Sequence, residues 1–143
     1  MTADPLELRM AQGYQPNFDI DVQAGTQAEL LYVDIVAALR DGSAEVKHDM
    51  RASRYGNYYF EYECLRRDGW NRSGIAVSTS EWWAVVAEGV LVAAPTDRVR
   101  AVVRRHGKNQ GSRREETDGD HPTKGVVIPV GRYLHDLIHW ETS

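Results

Sequence analysis

The sequence predicts a mixed α/β fold in which a central mixed β-sheet, with an antiparallel hairpin at its core, is flanked by helices. Three observations lead to this prediction: a helical apolar stripe in the first third of the chain, an alternating strand followed by an aromatic strand in the middle, and a strand and a helix near the end. With 143 residues the chain fits a single domain, 1–143, that has its own hydrophobic core.

The first elements follow a weakly patterned N-terminus, residues 1–14, which we expect to be loose. The alternating run "NFDIDV", residues 17–22, predicts a short strand. A helix is predicted next, because apolar residues recur at helical spacing between an N-cap at Thr26 and a stop at Gly42. "SAEVKHD" then predicts a strand, "RASRYG" a turn, and "NYYFEYECL" a second, aromatic-rich strand.

The second half of the chain continues the alternation of helices and strands. "STSEWWAVVAEG" predicts a helix, because Ser78 and Glu81 have the spacing of a capping box and Gly89 closes the segment. "VLVAA" predicts a buried strand, and "PTDRVRAVVRRHG" predicts a basic helix. The polar residues 107–124 predict a mobile loop, after which "GVVIPV" and "GRYLHDLIHW" close the chain as a strand and a helix.

Composition limits the classes of function. The formal net charge is −4, so contact with nucleic acid requires a local basic patch rather than an overall positive charge. The one cysteine, Cys64, allows no internal disulfide and suits a reducing compartment. Neither a signal peptide nor an apolar run near the roughly 20 residues of a membrane helix is recognisable, so we expect a cytoplasmic protein without a membrane partner.

The two central strands carry an unusual density of acids. If they form an antiparallel hairpin, Asp49 lies opposite residues 59–61 and Lys47 lies opposite residues 61–63, with Cβ atoms about 5 Å apart. Asp49, Lys47, Glu61 and Glu63 then share one patch. Carboxylates in such a patch repel one another unless a cation lies among them, and Mg²⁺ or Mn²⁺ prefers such oxygen ligands. The alternative is a solvated hairpin face with Lys–Glu pairs and no chemical role.

The order of these segments resembles small phage-type nucleases of the PD-(D/E)XK superfamily. The shared features span about residues 18–134: an "EVK-x-D" strand, a turn that reads "YGN" here and "TGN" in the superfamily members, an "E-x-E" strand, an "SG" loop and a "(V/I)P" strand. The resemblance implies a restriction-endonuclease-like fold and a hydrolase that cleaves phosphodiester bonds with Mg²⁺ or Mn²⁺, with DNA favoured as substrate. It also implies a bacterial or phage-infected cell.

The resemblance assigns roles to five residues. Asp49 and Glu61 would hold the metal, with the helix-borne Glu29 as a further ligand. Glu63 and Lys47 would position the attacking water and stabilise the phosphate, although Glu63 stands where the superfamily usually has lysine. Glu29 also stands three residues after a good N-cap, so a capping role is equally compatible with its position.

A second assignment of the active motif remains open. "EVK" at Glu45 to Lys47 is itself a match to E-x-K. The active group would then be Asp21 or Asp19 together with Glu45 and Lys47, and the later acidic pair would be surface charge.

Basic residues near the hairpin and in the basic helix predict contact with phosphates, which dominate affinity for nucleic acid. The residues expected to do this are Arg51, Arg54, Arg104 and Arg105. A catalytically inactive nucleic-acid- or protein-binding module of the same fold is the alternative to an enzyme. A homodimer through the tryptophans would suit a short nuclease that cuts two strands.

Overall fold

The computed structural model describes residues 16–117 and 119–140, and the chain divides into two compact units, Met1–Ala37 and Ala38–Ser143. The described part of the first unit belongs to a long helix, α1 (Pro16–Asp41), whose last residues lie in the second unit. Side chains of α1 such as Leu30 and Tyr32 are exposed. Within the described ranges, no helix is both long enough and apolar enough to cross a membrane.

The early start of α1 changes two predictions. Residues 17–22 are helical, so the predicted strand is wrong, and Thr26 lies inside the helix rather than at its N-cap. The short alternating run misled because Phe18 and Val22 also have the i, i+4 spacing of a helix, and Pro16 is a favourable first helical residue. The predicted loose N-terminus, residues 1–14, lies outside the described residues.

The second unit contains, in its described part, seven strands and three further α-helices. In chain order these are β1 (Ala44–His48), α2 (Met50–Tyr55), β2 (Asn57–Arg66), β3 (Gly69–Arg72), β4 (Trp82–Ala87), β5 (Val90–Pro95), α3 (Thr96–His106), β6 (Arg113–Glu116), β7 (Thr123–Pro129) and α4 (Val130–Ile138). Short 3₁₀ turns lie at Gly74–Ala76 and Gln110–Ser112. The basic helix, the strands β5 and β7, and the final helix confirm the predictions, whereas the predicted loop at 107–124 contains β6.

The strands form two sheets rather than one central sheet. The first has the order β1-β4-β5, with β1 parallel to β4 and β4 antiparallel to β5. The second has the order β3-β2-β7-β6 and is antiparallel throughout. The fold is therefore mixed α/β, as predicted.

The predicted hairpin of β1 and β2 does not form, because a helix stands where the turn was expected. Residues 50–55 make α2, which begins at its N-cap Asp49 and ends at Gly56 with φ of 71°. This helix directs β1 and β2 into different sheets, and Lys47 lies opposite Val85 of β4 rather than opposite residues 61–63. The hairpin register from which the patch of acids was predicted is therefore wrong.

The helix predicted from Ser78 to Gly89 is also wrong. Its residues form β4 and the turn into β5, where Glu88 and Gly89 have φ of 49° and 75°. Positive φ at both central residues of a two-residue turn matches the twist of a β-hairpin. Tryptophan and valine favour strands, and two strand partners outweigh the capping-box spacing.

The core lies between strands of both sheets and the helices α3 and α4. Tyr58 and Phe60 of β2 pack against Tyr133 of α4, with ring centroids 5.2 and 5.0 Å from the tyrosine ring. Apolar residues of α3, β4 and β7 complete this cluster: Val99, Val102, Val103, Trp83, Val85, Val126 and Ile128. The core holds β2 rigidly, and β2 carries acidic residues of the site described next.

Candidate functional site

Asp49 joins the two sheets. Its side chain is only 8% exposed, and its backbone N–H donates to the Val86 carbonyl at 2.9 Å. Oδ1 accepts from the backbone N–H groups of Arg51 and Ala52 at 2.9 and 3.1 Å, which caps α2. Oδ2 accepts from the backbone N–H of Tyr59 in β2 at 2.8 Å. The carboxylate therefore links β1, α2 and β2, in addition to any chemical role.

Glu61 of β2 is held by the loop that follows β3. The Ser73 hydroxyl donates to Oε1 at 2.6 Å, and the Ser73 backbone N–H donates to the Tyr62 carbonyl at 2.9 Å. Gly74 has φ of 54°, and a Cβ there would lie 2.3 Å from the Glu61 carbonyl oxygen. Serine and glycine at these two positions thus allow the loop to approach β2 closely and to orient the carboxylate.

Glu45 and Lys47 form an ion pair on β1, with 2.5 Å between Nζ and Oε1. The Ser78 hydroxyl donates to Glu45 Oε2 at 2.6 Å, and Lys47 Nζ lies 5.6 Å from the centroid of the Trp83 ring. Burial by itself raises the pKa of Glu45, but the hydrogen bonds from Lys47 and Ser78 and the charge of Lys47 outweigh it, so the pKa is lowered. Glu45 therefore stays ionised near neutral pH.

These residues line one cavity of about 510 Å³, which we call the carboxylate pocket. Asp49, Glu61, Glu45 and Lys47 all contribute to it. Both assignments of the active motif considered from the sequence therefore place residues in the same pocket. The residues belong to β1, to the start of α2 and to β2. They lie in one pocket because the two sheets adjoin at this point.

Glu63 does not line this pocket. β2 is irregular between Glu61 and Glu63, because Glu61 pairs with Gly125 of β7 while Glu63 pairs with the adjacent Lys124. Such a bulge breaks the alternation of side chains, so residues two apart no longer point to the same face. Glu63 lines a different cavity, where its carboxylate lies 3.5 Å from Lys124 Nζ.

Tyr59 forms part of the wall of the carboxylate pocket. Its hydroxyl lies 2.8 Å from Thr123 Oγ1. Burial raises the pKa of Tyr59 to about 12, and the charges of Glu116 and Glu61 add to this effect. The phenol is therefore neutral at physiological pH.

The four arginines predicted to contact nucleic acid lie in different surroundings. Arg51 lines the carboxylate pocket and is paired with Glu116 of β6. Arg54 is exposed, with its guanidinium 5.3 Å from the centroid of a tyrosine ring in the same helix. Arg105 donates to the Trp140 carbonyl at 3.4 Å. Of these four arginines, only Arg104 lines the cavity that also contains Glu63.

This second cavity, of about 560 Å³, is lined by basic residues from α3, from the turn after it, and from the three strands β3, β6 and β7 of the antiparallel sheet. We call it the basic cavity, and its cationic residues are Arg72, Arg100, Arg104, Lys108, Arg113 and Lys124. Arg104 was predicted from the sequence to contact nucleic acid, whereas no role was predicted for Arg72 or Lys124, because these residues are distant along the chain. No role was predicted for Ser73 either, although the "SG" dipeptide was part of the resemblance.

The carboxylate pocket offers two carboxylates, Asp49 and Glu61, as candidate ligands for a divalent ion. Within the part of the chain that the structure describes, no group of three or more His, Cys, Asp or Glu residues could hold a metal ion. Mg²⁺ is commonly held by one or two carboxylates, with water and substrate phosphate completing its shell. Asp49 Oδ2 accepts one hydrogen bond, and none reaches Glu61 Oε2 from the described residues. The donor set therefore fits such an ion.

The remaining predicted ligands lie in the first unit. Glu29 is exposed on α1, and its role as a metal ligand stays a prediction. Asp19 and Asp21 have helical backbone, and their side chains are outside those described.

Comparison of the chain with protein-family models, curated proteins and solved structures finds no match. Any assignment of function therefore depends on the chemistry of the two cavities and on the resemblance of the sequence motifs.

Proposed function

We propose that this protein is a nuclease that hydrolyses phosphodiester bonds with Mg²⁺ or Mn²⁺, with DNA favoured as substrate and an active site of the PD-(D/E)XK type. The observation that carries the proposal is that Asp49, Glu61 and Lys47 line one cavity from different elements. Two carboxylates beside a lysine are a recurring set of groups for metal-assisted phosphodiester hydrolysis. The restriction-endonuclease-like arrangement is part of the proposal.

Asp49 and Glu61 would hold the ion. Backbone N–H groups and the Ser73 hydroxyl keep both carboxylates in place before any ligand arrives, which reduces the cost of ordering them. A bound divalent ion would polarise the phosphate and lower the pKa of a coordinated water.

Lys47 and Glu45 would act on the substrate and the water. The Lys47 ammonium supplies positive charge where the phosphate develops negative charge in the transition state. Glu45, which remains ionised, can accept a hydrogen bond from the attacking water. Glu63, initially expected in this group, is left out because it lines the basic cavity.

The proposal is tested by cleavage of labelled single-stranded, duplex and branched DNA, and of RNA, with Mg²⁺, Mn²⁺ or EDTA. Glu61→Gln keeps the size of the side chain and an acceptor for Ser73 but removes the charge. We expect its rate to fall at least about 100-fold, the upper range for residues that only support a metal ligand. Glu63→Gln, on the same strand, is the matched control and should retain nearly full activity.

Metal-dependent cutting that is lost in Glu61→Gln and kept in Glu63→Gln would support this site. Equal activity of the two variants would rule it out. If the wild type cuts nothing under any condition and still binds nucleic acid, the protein is a binding module of the same fold.

A further inference from the structure

The basic cavity lies beside the carboxylate pocket, on the other side of one loop. Gly74 and Ser78 of this loop line the carboxylate pocket, whereas Ile75 and Ala76 between them line the basic cavity. At about 560 Å³ the cavity has the size of a small-ligand site.

The charge of the basic cavity has one dominant sign. Six cationic side chains line it, and Glu63 is the one carboxylate among the residues that form its described wall. Glu63 lies 3.5 Å from Lys124 Nζ, and Arg100 Nη1 lies 2.7 Å from Oδ1 of Asp97, which is not part of the cavity wall. The other four cations have no ion pair with the described residues: Arg72, Arg104, Lys108 and Arg113. A concave surface of one sign concentrates ions of the opposite sign.

Three of the arginines are held in place by carbonyl oxygens. Arg72 Nη2 donates to the Ala76 carbonyl at 3.1 Å, and Arg113 Nε donates to the Gly107 carbonyl at 2.6 Å. Arg100 Nη2 donates to the Ser78 carbonyl at 2.6 Å. Arg100 also forms an ion pair with Asp97 at 2.7 Å. A carbonyl fixes a guanidinium without neutralising its charge, so Arg72 and Arg113 are preorganised and still cationic.

Arg104 and Lys108 differ from these three. They follow Arg100 at successive steps of four residues, so all three lie along one side of α3 and its C-terminal extension. Both are exposed, and neither side chain has a hydrogen bond or an ion pair with the described residues. Their donors are therefore available to a ligand.

We propose that the basic cavity binds the phosphate groups of a nucleic-acid strand, as a second site apart from the carboxylate pocket. Phosphate oxygens match the fork of donors on arginine, and several phosphates along one strand match a cavity with several cations. The site needs no metal, and it does not depend on whether the protein cleaves its ligand.

The test is fluorescence anisotropy of a short labelled single-stranded DNA in EDTA, measured over a range of salt concentrations. The double variant R104Q/K108Q removes two cations without removing a hydrogen bond from the described fold. The matched control R66Q/R67Q removes two exposed cations at the turn between β2 and β3, outside both cavities. The midpoint of thermal unfolding should be similar for the two double variants.

We expect R104Q/K108Q to bind about tenfold more weakly and to reduce the slope of log K against log salt by about 1.4, which is two phosphate contacts at about 0.7 each. R66Q/R67Q should change the affinity by less than about twofold, as for any charge remote from the contact. If both double variants bound DNA equally weakly, the proposal would be overturned, because the affinity would then depend only on the overall charge of the protein.

Competition separates a strand from a free nucleotide as the source of the phosphate. Inorganic phosphate or a nucleoside monophosphate should fail to displace the labelled DNA at a phosphate concentration at which unlabelled strand displaces it. Complete displacement by the mononucleotide would overturn the assignment to a strand. Glu61→Gln should bind as tightly as the wild type, so the failure of cleavage and the failure of this site are distinguishable.

Discussion

The carboxylate pocket and the basic cavity lie on either side of the same loop and have opposite charge, yet both are built in the same way. In the pocket, Asp49 and Glu61 are held by neutral donors, which are backbone N–H groups and a serine hydroxyl. In the cavity, Arg72 and Arg113 are held by neutral acceptors, which are backbone carbonyls. Neutral partners position a charge and leave it free to act on a ligand. Each region also contains an ion pair between two of its own residues, Glu45–Lys47 in the pocket and Glu63–Lys124 in the cavity.

Under the two proposals above, the pocket supplies chemistry and the cavity supplies affinity. The largest expected effect is therefore a difference in kinetics between variants of the two regions. Lys47→Met should lower kcat about 100-fold and leave KM nearly unchanged, because its charge is needed most in the transition state. R104Q/K108Q should raise KM and leave kcat nearly unchanged. Steady-state cleavage at several substrate concentrations measures kcat and KM. A change of KM alone in both variants would contradict the separation of chemistry and affinity between the two regions.

The next effect concerns stability. Asp49→Ala should lower the free energy of unfolding by about 3 kcal/mol, because it removes the cap of α2 and leaves the Tyr59 N–H without its acceptor. Asp49→Asn keeps one carbonyl acceptor, so its free energy of unfolding should fall by less. Urea unfolding of both variants measures this, and an Asp49→Ala protein as stable as the wild type would contradict the structural role. Glu61 is consequently the better position for a test of catalysis.

The smallest expected effect comes from the loop that separates the two regions. Gly74→Ala combines an unfavourable positive φ with a Cβ that would lie 2.3 Å from the Glu61 carbonyl oxygen, so it should destabilise by about 2 kcal/mol. Gly89→Ala has a similar φ of 75° and nothing within 4 Å of the added Cβ. Gly89→Ala therefore measures the cost of the positive φ alone, and it should destabilise the protein by about 1 kcal/mol. Equal losses in thermal or urea unfolding would mean that the close approach to β2 contributes nothing.

Local pattern was sufficient for several elements. The basic helix α3 combines buried valines at helical spacing with a glycine stop, and β7 followed by α4 shows a clear change from a strand pattern to a helix pattern. Asp49, Glu61 and Lys47 line the same pocket and Glu63 does not, although the reason for grouping the four was a hairpin that does not exist; their roles stay predictions.

Local pattern failed where a long-range partner decides the structure. The segment Trp82–Ala87 becomes a strand because β1 and β5 pair with both of its edges, and no window of sequence shows those partners. Residues 50–55 form a helix because Asp49 accepts backbone N–H groups from two of them. The bulge that separates Glu61 from Glu63 depends on the register of β2 against β7.

The sequence by itself determined the mixed α/β class and the acidic and basic residue types. These properties follow from composition and from periodicity, which are local. Only the tertiary structure decided that Glu45 and Glu61 share a cavity, that Glu63 leaves it, and that Arg72 joins Arg104 in a second one. The reason is physical: which charged side chains meet is set by strand pairing and by neutral hydrogen bonds between residues far apart in the chain.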